Sequence, residues 1–221
     1  MQVNQKNWSC PKKQRARWET IVAQYRRHYS EALPPEKQYW TICGQCATAI
    51  GEPLDGSEPA QVISEGLVLP GQFHGVELNS EIHALNVKAF PCLNWINDDF
   101  YHAMVVEQSK GTFNPAVVNA DLPQTPDGGA GYIGKLMAFL TATAGDVLFV
   151  ANMILRMKYY TAKDGDYVLK LLNDYPQFRY AMSVANWKLA DGYYEYSGAG
   201  NTGSRTYMGS FVFVKRESCL A

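Results

Sequence analysis

The sequence lacks the features of a membrane-spanning protein and of a secreted, cross-linked one. Its longest apolar runs, such as Val147–Ala151, are far too short to span a bilayer. No apolar segment follows a basic start at the amino terminus, so we expect no secretory signal and a cytoplasmic location. The chain has five cysteines, which is an odd number, and its 221 residues are enough to form a core without cross-links. A disulfide framework is therefore not expected.

Several catalytic and binding motifs are also missing. With four histidines and no G-x-S-x-G, the sequence argues against a hydrolase triad. Asn201–Thr206 has the composition of a phosphate-binding loop but lacks the P-loop lysine pattern. Cys43-x-x-Cys46 has no second cysteine pair, which favours buried cysteines at a strand end over a redox pair or half of a zinc site. We expect no metal.

What is present is an ordinary globular composition with uneven charge. Hydrophobic residues make up 47% of the chain and charged residues 19%. Residues 1–40 contain eight basic and three acidic side chains, a net +5, which leaves −6 for the remainder. This predicts a basic helical arm over residues 1–37 ahead of a domain over 38–221. Two interpretations of the arm stay open: a contact for a polyanion through Lys12, Lys13, Arg15 and Arg17, or a solvated helix face.

Apolar periodicity predicts alternating strands and helices. One apolar face predicts a helix over Arg15–Tyr29. The predicted strands are Tyr39–Cys43, Phe73–Leu78, Asn94–Asn97, Pro115–Asn119 and Asp146–Asn152. The helices between them are expected near 58–67, at Glu81–Ala89 with Ser80 as N-cap, and at Tyr101–Gln108, Ile133–Thr143 and Asp166–Tyr175, with Pro123–Gly131 as a loop.

Two extended segments end the pattern, Met182–Tyr196 and Thr206–Lys215, joined by a turn over Ser197–Ser204. The sequence therefore predicts an α/β fold: a mostly parallel seven-stranded sheet, flanked by helices on both faces, with a C-terminal antiparallel β-hairpin. Such sheets bind ligands at the carboxyl ends of their strands, so the residues just after each strand are the informative ones.

Polar and acidic residues follow the first four predicted strands. They are Cys43, Gly44 and Gln45 after the first, Glu77 after the second, Asp98, Asp99 and Phe100 after the third, and Asn119 and Asp121 after the fourth. In the order and spacing of these elements, and in the closing hairpin, residues 38–215 resemble the class I (Rossmann-like) S-adenosylmethionine-dependent methyltransferases.

The resemblance implies S-adenosylmethionine as cofactor and a role for each strand end. Cys43, Gly44 and Gln45 would lie against its methionine part, although the family's glycine-rich loop is reduced to Gly44. Glu77 would bind both ribose hydroxyls, for which a carboxylate has the acceptors, or serve as a helix-entry charge. Asp99 and Phe100 match the adenine contacts, with Asp98 as the alternative.

The resemblance also assigns the acceptor side of the site. Asn119, which would touch the cofactor as well, and Asp121 match the catalytic motif of the nucleic-acid members, without that motif's aromatic residue. Three functions follow: a methyltransferase acting on DNA or RNA, a catalytically silent binding module of the same fold, or a small-molecule methyltransferase.

Overall fold

The computed structural model describes residues 11–122, 126–155, 187–190, 194–199 and 205–217, together with residues 176, 179 and 183. In chain order, the helices are α1 (Pro11–Arg17), α2 (Ala23–His28), α3 (Glu58–Ser64), α4 (Ser80–Ala89), α5 (Phe100–Ser109) and α6 (Pro126–Thr141). The strands are β1 (Gln38–Ile42), β2 (Phe73–Val76), β3 (Asn94–Ile96), β4 (Pro115–Asp121), β5 (Val147–Leu155), β6 (Trp187–Leu189), β7 (Tyr194–Ala199) and β8 (Arg205–Lys215).

The strands form one mixed sheet in the order β3-β2-β1-β4-β5-β8-β6, with β7 also paired to β8. β1 to β5 are parallel, and β8 runs antiparallel to β5, β6 and β7. Because β6 and β7 pair with opposite ends of β8, they share one position, and the sheet is seven strands wide. The predicted α/β fold, its parallel sheet and its antiparallel C-terminal hairpin are confirmed.

Helices cover both faces of the sheet, as predicted. On one face α5 and α6 pack on the strands through a core that includes Met104, Leu136 and Phe149. On the other face the N-terminal helix and α3 pack through Ile21, Val62 and Val150. Among the helices that the structure describes, none combines the length and the apolar character that a membrane crossing requires.

The N-terminal helix is longer than the predicted Arg15–Tyr29. It runs from α1 through a π-helical turn, Trp18–Val22, into α2 without a break. The side chains of Ile21, Val22 and Tyr25 are buried against the sheet. At its end the Tyr29 hydroxyl lies 2.8 Å from the Val147 carbonyl oxygen and 2.9 Å from that of Lys215, which fixes the helix to β5 and β8.

Three local predictions were wrong. Asn79, not Ser80, caps α4, because its side chain accepts hydrogen bonds from the backbone N–H groups of Glu81 and Ile82. Pro123–Gly131 is not all loop, since α6 begins at Pro126; proline suits a first turn, and the buried apolar face of α6 offsets its glycines.

The third error concerns the hairpin. Ser183 is helical and the strand begins at Trp187 instead of Met182, while β7 continues to Ala199, past the predicted start of the turn. The remainder of that turn, 200–204, and the predicted helix Asp166–Tyr175 lie outside the described residues.

β2 packs closely against its neighbours through aromatic rings. Gly75 lies beneath the Trp95 ring, and a Cβ on it would come within 2.3 Å of that ring, so only glycine fits. The His74 ring stacks on Trp40 with centroids 4.7 Å apart and planes 8° apart. Burial lowers the pKa of His74 from 6.5 to about 4, against a weaker opposing effect of Glu107.

The neutral His74 makes the stability of the fold sensitive to acid. Between pH 6.5 and about 4 the unfolded chain binds a proton that the folded chain does not, so stability falls as the pH falls through this window. His74→Phe keeps a ring against Trp40 and removes the proton site. We expect the variant to lose less stability than the wild type over the window, by up to about 3 kcal/mol. Urea unfolding at several pH values measures this difference, and parallel curves for the two proteins would contradict it.

Candidate functional site

The register of the parallel strands brings four chain positions to one level at the carboxyl edge of the sheet. Ile42 pairs with Val76, and Val76 pairs with Ile96. The next residues, Cys43, Glu77 and Asn97, are therefore level with one another. Thr41 pairs with Asn119, which puts Asp121 level with Cys43 across the β1–β4 boundary. The ends of β1, β2, β3 and β4 thus meet along one edge, as the sequence predicted.

The chain turns sharply after β1 at Gly44. Its φ of +57° is the left-handed conformation that glycine adopts without strain. The buried Asn86 of α4 fastens this turn, since its Nδ2 donates to the Gly44 carbonyl (2.8 Å) and its Oδ1 accepts from the Cys46 backbone N–H (2.8 Å). Cys43 is buried beside the turn, and burial raises the pKa of its thiol well above the ordinary value.

Glu77 follows β2 directly and is half-buried. One carboxylate oxygen accepts the Asn79 backbone N–H at 2.7 Å. Burial raises the pKa of Glu77, while the hydrogen bond from Asn79 and the proximity of His83 act in the opposite direction. The Asn97 side chain donates to the Glu77 carbonyl oxygen at 2.7 Å and so ties the end of β2 to the end of β3. The carboxylate is held in place with acceptor capacity remaining.

The residues after β3 build the start of α5. The exposed Asp99 is the N-cap, and its carboxylate accepts the His102 backbone N–H at 3.0 Å. Asp98 lies 2.6 Å from the His102 ring nitrogen Nδ1, and this hydrogen bond lowers the pKa of Asp98. The Phe100 side chain is buried in the core. The predicted adenine contacts of these three residues stay a prediction.

Asn119 lies at the centre of a buried hydrogen-bond network. Its Nδ2 donates to Glu58 Oε1 at 2.9 Å, and its Oδ1 accepts from Asn152 Nδ2 at 2.7 Å. Asn152 in turn accepts from the Ser210 hydroxyl. Only 1% of Asn119 is exposed. The geometry gives Asn119 a role in joining β4 to β5 and α3, and its predicted catalytic and cofactor contacts stay untested.

Glu58 is the acidic centre of the same network. It is 1% exposed, and its Oε1 also accepts the Tyr39 hydroxyl at 2.7 Å. The Arg17 guanidinium lies 3.7 Å from its other oxygen, Oε2, and donates to the Gly56 carbonyl oxygen at 2.8 Å. A buried carboxylate needs such charge and hydrogen-bond partners. Arg17, predicted to contact a substrate, is therefore buried against Glu58.

Asp121 ends β4 beside the N-terminal helix. Lys13 Nζ lies 2.7 Å from Asp121 Oδ2, and the two side chains are only 13% and 16% exposed. α1 thus forms one wall beside Asp121, and Lys13 neutralises the carboxylate. Lys12 and Arg15 are exposed on α1, with Arg15 within 3.7 Å of Glu19. The structure thus separates the four predicted basic contacts into two that face inward and two that face outward.

Two residues of this region went unnoticed in the sequence. Glu58 resembles an ordinary acidic residue in a first helical turn, and its buried partners come from distant parts of the chain. Leu78, directly after Glu77, exposes 72% of its surface at the carboxyl edge. An apolar residue after a strand-end acid is the signal that could have drawn attention to it. Within the described residues, no three His, Cys, Asp or Glu side chains come together as a metal site.

The strand order, the antiparallel strand β8 and the carboxyl edge define the class: this is the class I methyltransferase fold. A scan against models of protein families finds no match, and a search of curated proteins finds none. Among solved structures, a SAM-dependent methyltransferase from Anabaena variabilis ATCC 29413 is similar, with a TM-score of 0.53 and 10% identity over 97% of this chain and 90% of that one.

Two further structures share the fold. The plantazolicin methyltransferase BpumL, in complex with a pentazolic desmethylPZN analog and SAH, has a TM-score of 0.51 and 11% identity over 94% of this chain and 86% of that one. The type IIG restriction endonuclease BpuSI has a TM-score of 0.52 and 15% identity; the match covers 98% of this chain and 26% of the endonuclease. At such identities these similarities establish the fold.

The buried network predicts a large effect of Asn119 on stability. Asn119→Ala leaves the Asn152 Nδ2 group without its acceptor and removes one of the two hydrogen bonds that Glu58 Oε1 accepts, and a buried unsatisfied group costs about 1–3 kcal/mol. We expect the free energy of unfolding to fall by about 2–4 kcal/mol in urea titrations. Asn94→Ala is the matched control, because Asn94 is exposed with one hydrogen bond to Gly71, and it should cost less than about 1 kcal/mol. Equal losses for the two variants would contradict this role for Asn119.

Proposed function

We propose that this chain is an S-adenosylmethionine-dependent methyltransferase. The observation that carries the proposal is the carboxyl edge of the sheet, where the Gly44 turn, the half-buried Glu77 and the Asp121–Lys13 pair follow three adjacent strands. Ligands bind at this edge of open parallel sheets. The fold shared with the methyltransferases supports the same reading.

The residues at the edge fit the cofactor. The half-buried Glu77 retains acceptors for two adjacent ribose hydroxyls, and hydrogen bonds from hydroxyls are stronger to a carboxylate that is partly shielded from water. The exposed side chain of Leu78 supplies an apolar surface next to it, suited to a flat base. When bound, the cofactor supplies the activated methyl group.

We place the methyl acceptor beside Asp121. The Lys13 ammonium holds one carboxylate oxygen, Oδ2, and fixes the orientation of the side chain. The other oxygen, Oδ1, makes no hydrogen bond to any part of the chain that the structure describes, and it is available to orient the acceptor or to accept its proton. Asn119 lies two residues before Asp121 on β4, and both groups of its own amide are already bonded in the buried network.

Nucleic acid is the acceptor that we propose. The net charge of +5 on residues 1–40 and the shared fold of a restriction endonuclease support it. Because Lys13 and Arg17 are largely buried whereas Lys12 and Arg15 are exposed on α1, we assign the phosphate contacts to Lys12 and Arg15. The small-molecule alternative is supported by BpumL, a plantazolicin methyltransferase, whose fold matches the chain equally well.

Calorimetric titration tests the cofactor site. We expect the wild type to bind S-adenosylmethionine and S-adenosylhomocysteine, and Glu77→Ala to weaken both by about 1–3 kcal/mol because it removes acceptors for the ribose hydroxyls. Glu81→Ala, an exposed acidic residue in the first turn of α4, is the control and should change nothing. Unchanged affinity in a folded Glu77→Ala protein would show that Glu77 does not bind the ribose and is only an acidic residue ahead of α4. A wild type that binds neither ligand would favour the non-catalytic module.

Salt dependence tests the nucleic-acid acceptor. Replacing Lys12 and Arg15 with glutamine should weaken binding to duplex DNA or single-stranded RNA, because two phosphate contacts are lost. The slope of log K against log salt should become shallower by about two. Arg27→Gln, an exposed basic residue on α2, is the control and should leave the slope unchanged. If the double variant keeps the wild-type slope, the arm does not contact phosphates and the small-molecule acceptor takes precedence.

A further inference from the structure

The N-terminal helix changes phase at its π-helical turn, Trp18–Val22. The backbone N–H of Ala23 donates to the Trp18 carbonyl oxygen, so this turn contains one residue more than an α-helical turn. One extra residue rotates the side chains before it by about 100° relative to those after it. In an unbroken α-helix Trp18 would share a face with Ile21 and Tyr25, which are buried, yet Trp18 is 39% exposed.

The indole of Trp18 is unpartnered within the part of the chain that the structure describes. Its N–H donates no hydrogen bond there, and its ring contacts neither another aromatic ring nor a cation. The other large apolar side chains exposed in these ranges are aliphatic: Ile50, Leu69, Leu78 and Val87. Trp18 is therefore the exposed aromatic surface of the described residues.

Two basic side chains precede Trp18 on the outer side of the helix. Lys12 and Arg15 are exposed, and Arg15, whose side chain is 72% exposed, lies 3.7 Å from Glu19 through Nε. Lys12, Arg15 and Trp18 follow one another at intervals of three residues, so they are neighbours along one line, here called the outer stripe. The outer stripe is about 9 Å long, the length of two or three stacked nucleotides at about 3.4 Å each.

The outer stripe begins beside the carboxyl edge of the sheet. Lys13 contacts Asp121 at that edge, and Tyr29 contacts Val147 at the opposite edge, so the helix runs from one to the other. Trp18 lies five residues, or about 8 Å, along the helix from Lys13. A chain molecule bound to the outer stripe therefore comes close to the position that we propose for the methyl acceptor.

The two kinds of side chain on the outer stripe match the two kinds of surface on an unpaired nucleic-acid strand. Cations bind its phosphates, and the flat face of an indole stacks on its bases. In a duplex the bases are stacked on one another, so their faces are hidden from a side chain outside. A lipid surface fits less well, because a helix on a membrane turns a wide apolar face towards it, and the apolar face of this helix is buried against the sheet.

We propose that a single-stranded nucleic acid binds along the outer stripe, with one base stacked on the Trp18 indole and phosphates beside Lys12 and Arg15. The inference rests on the proposed nucleic-acid acceptor and narrows it to an unpaired strand. Stacking on an aromatic ring tolerates any base, so Trp18 contributes affinity for single strands without reading their sequence.

An abasic strand separates stacking from phosphate contacts, because it keeps the phosphates and lacks the bases. In fluorescence anisotropy titrations, we expect the wild type to bind a mixed-sequence DNA single strand about tenfold more tightly than an abasic strand of equal length. Trp18→Ala should lose most of this preference, whereas Trp18→Phe, which keeps a ring, should retain most of it. Binding of Trp18→Ala to duplex DNA should stay within about twofold of the wild type.

Salt titration distinguishes the aromatic member of the outer stripe from a basic one. Trp18→Ala removes no charge, so the slope of log K against log salt should not change. Arg15→Gln should make the slope for the single strand shallower by about 0.7, because one phosphate contact is lost. Val87→Ala is the matched control: Val87 is also 39% exposed but lies on α4, and its removal should leave the preference and the slope unchanged.

Two further measurements show that Trp18→Ala acts on the strand alone. Its thermal melt should keep the single cooperative transition of the wild type, and its affinity for S-adenosylhomocysteine should be unchanged. Equal weakening of the normal and the abasic strand would overturn the inference, as would equal weakening of the duplex and the single strand. Wild-type binding to phosphatidylserine vesicles, with no binding to the strand, would also overturn it and would assign the outer stripe to a lipid surface.

The outcomes separate this inference from the function on which it rests. A wild type that binds S-adenosylhomocysteine but no nucleic acid would remove the inference and leave the small-molecule methyltransferase. A wild type that prefers the normal strand through Trp18 but does not bind S-adenosylhomocysteine would support the outer stripe and remove the methyltransferase proposal.

Discussion

The buried carboxylate of Glu58 connects the central elements of this protein. Transferring an ionised carboxylate into a protein interior costs several kcal/mol unless charge and hydrogen bonds compensate. Glu58 receives both: Arg17 approaches from the N-terminal helix, Tyr39 from β1 and Asn119 from β4. Each partner comes from a different element. The need to satisfy one charge therefore fixes the relative positions of a helix, two strands and α3.

The same constraint shapes the carboxyl edge. Because both groups of the Asn119 amide are used in the network, Asp121 is the polar residue of β4 that remains for a ligand. Arg17, one helical turn after Lys13 on α1, pairs with the buried Glu58. This pair therefore helps to hold α1 in the position from which Lys13 contacts Asp121. Stability and site geometry thus depend on one set of contacts.

Much of the fold could be predicted from the sequence because the strands are marked by local apolar runs. β5 and β8 are almost wholly apolar over Val147–Ala151 and Phe211–Val214, and their order with the helices limits the topology. The start of α6 could not be predicted, since its glycines disfavour a helix locally. The helix forms because its apolar face is buried in the core, which the local sequence does not reveal.

The site was predictable in its position but not in its internal bonding. Strand ends meet at one edge in any parallel sheet, which is why Gly44, Glu77 and Asp121 could be chosen. The hydrogen bond from the Asn119 amide to the buried Glu58 carboxylate, 61 residues away, could not be predicted. Partners so far apart in the chain leave no periodic pattern in the sequence. Glu58 was missed for the same reason.

The central place of β8 has a consequence for how the chain is made. β8 pairs with β5 along nine residue pairs, yet it begins fifty residues after β5 ends. On a ribosome adding about 5–20 residues per second, β5 is therefore an uncovered apolar edge for roughly 3–10 s. Exposed edges of this kind recruit other strands. During this interval β5 has β4 but not β8 as a pairing partner, so its other edge can pair with strands of other chains.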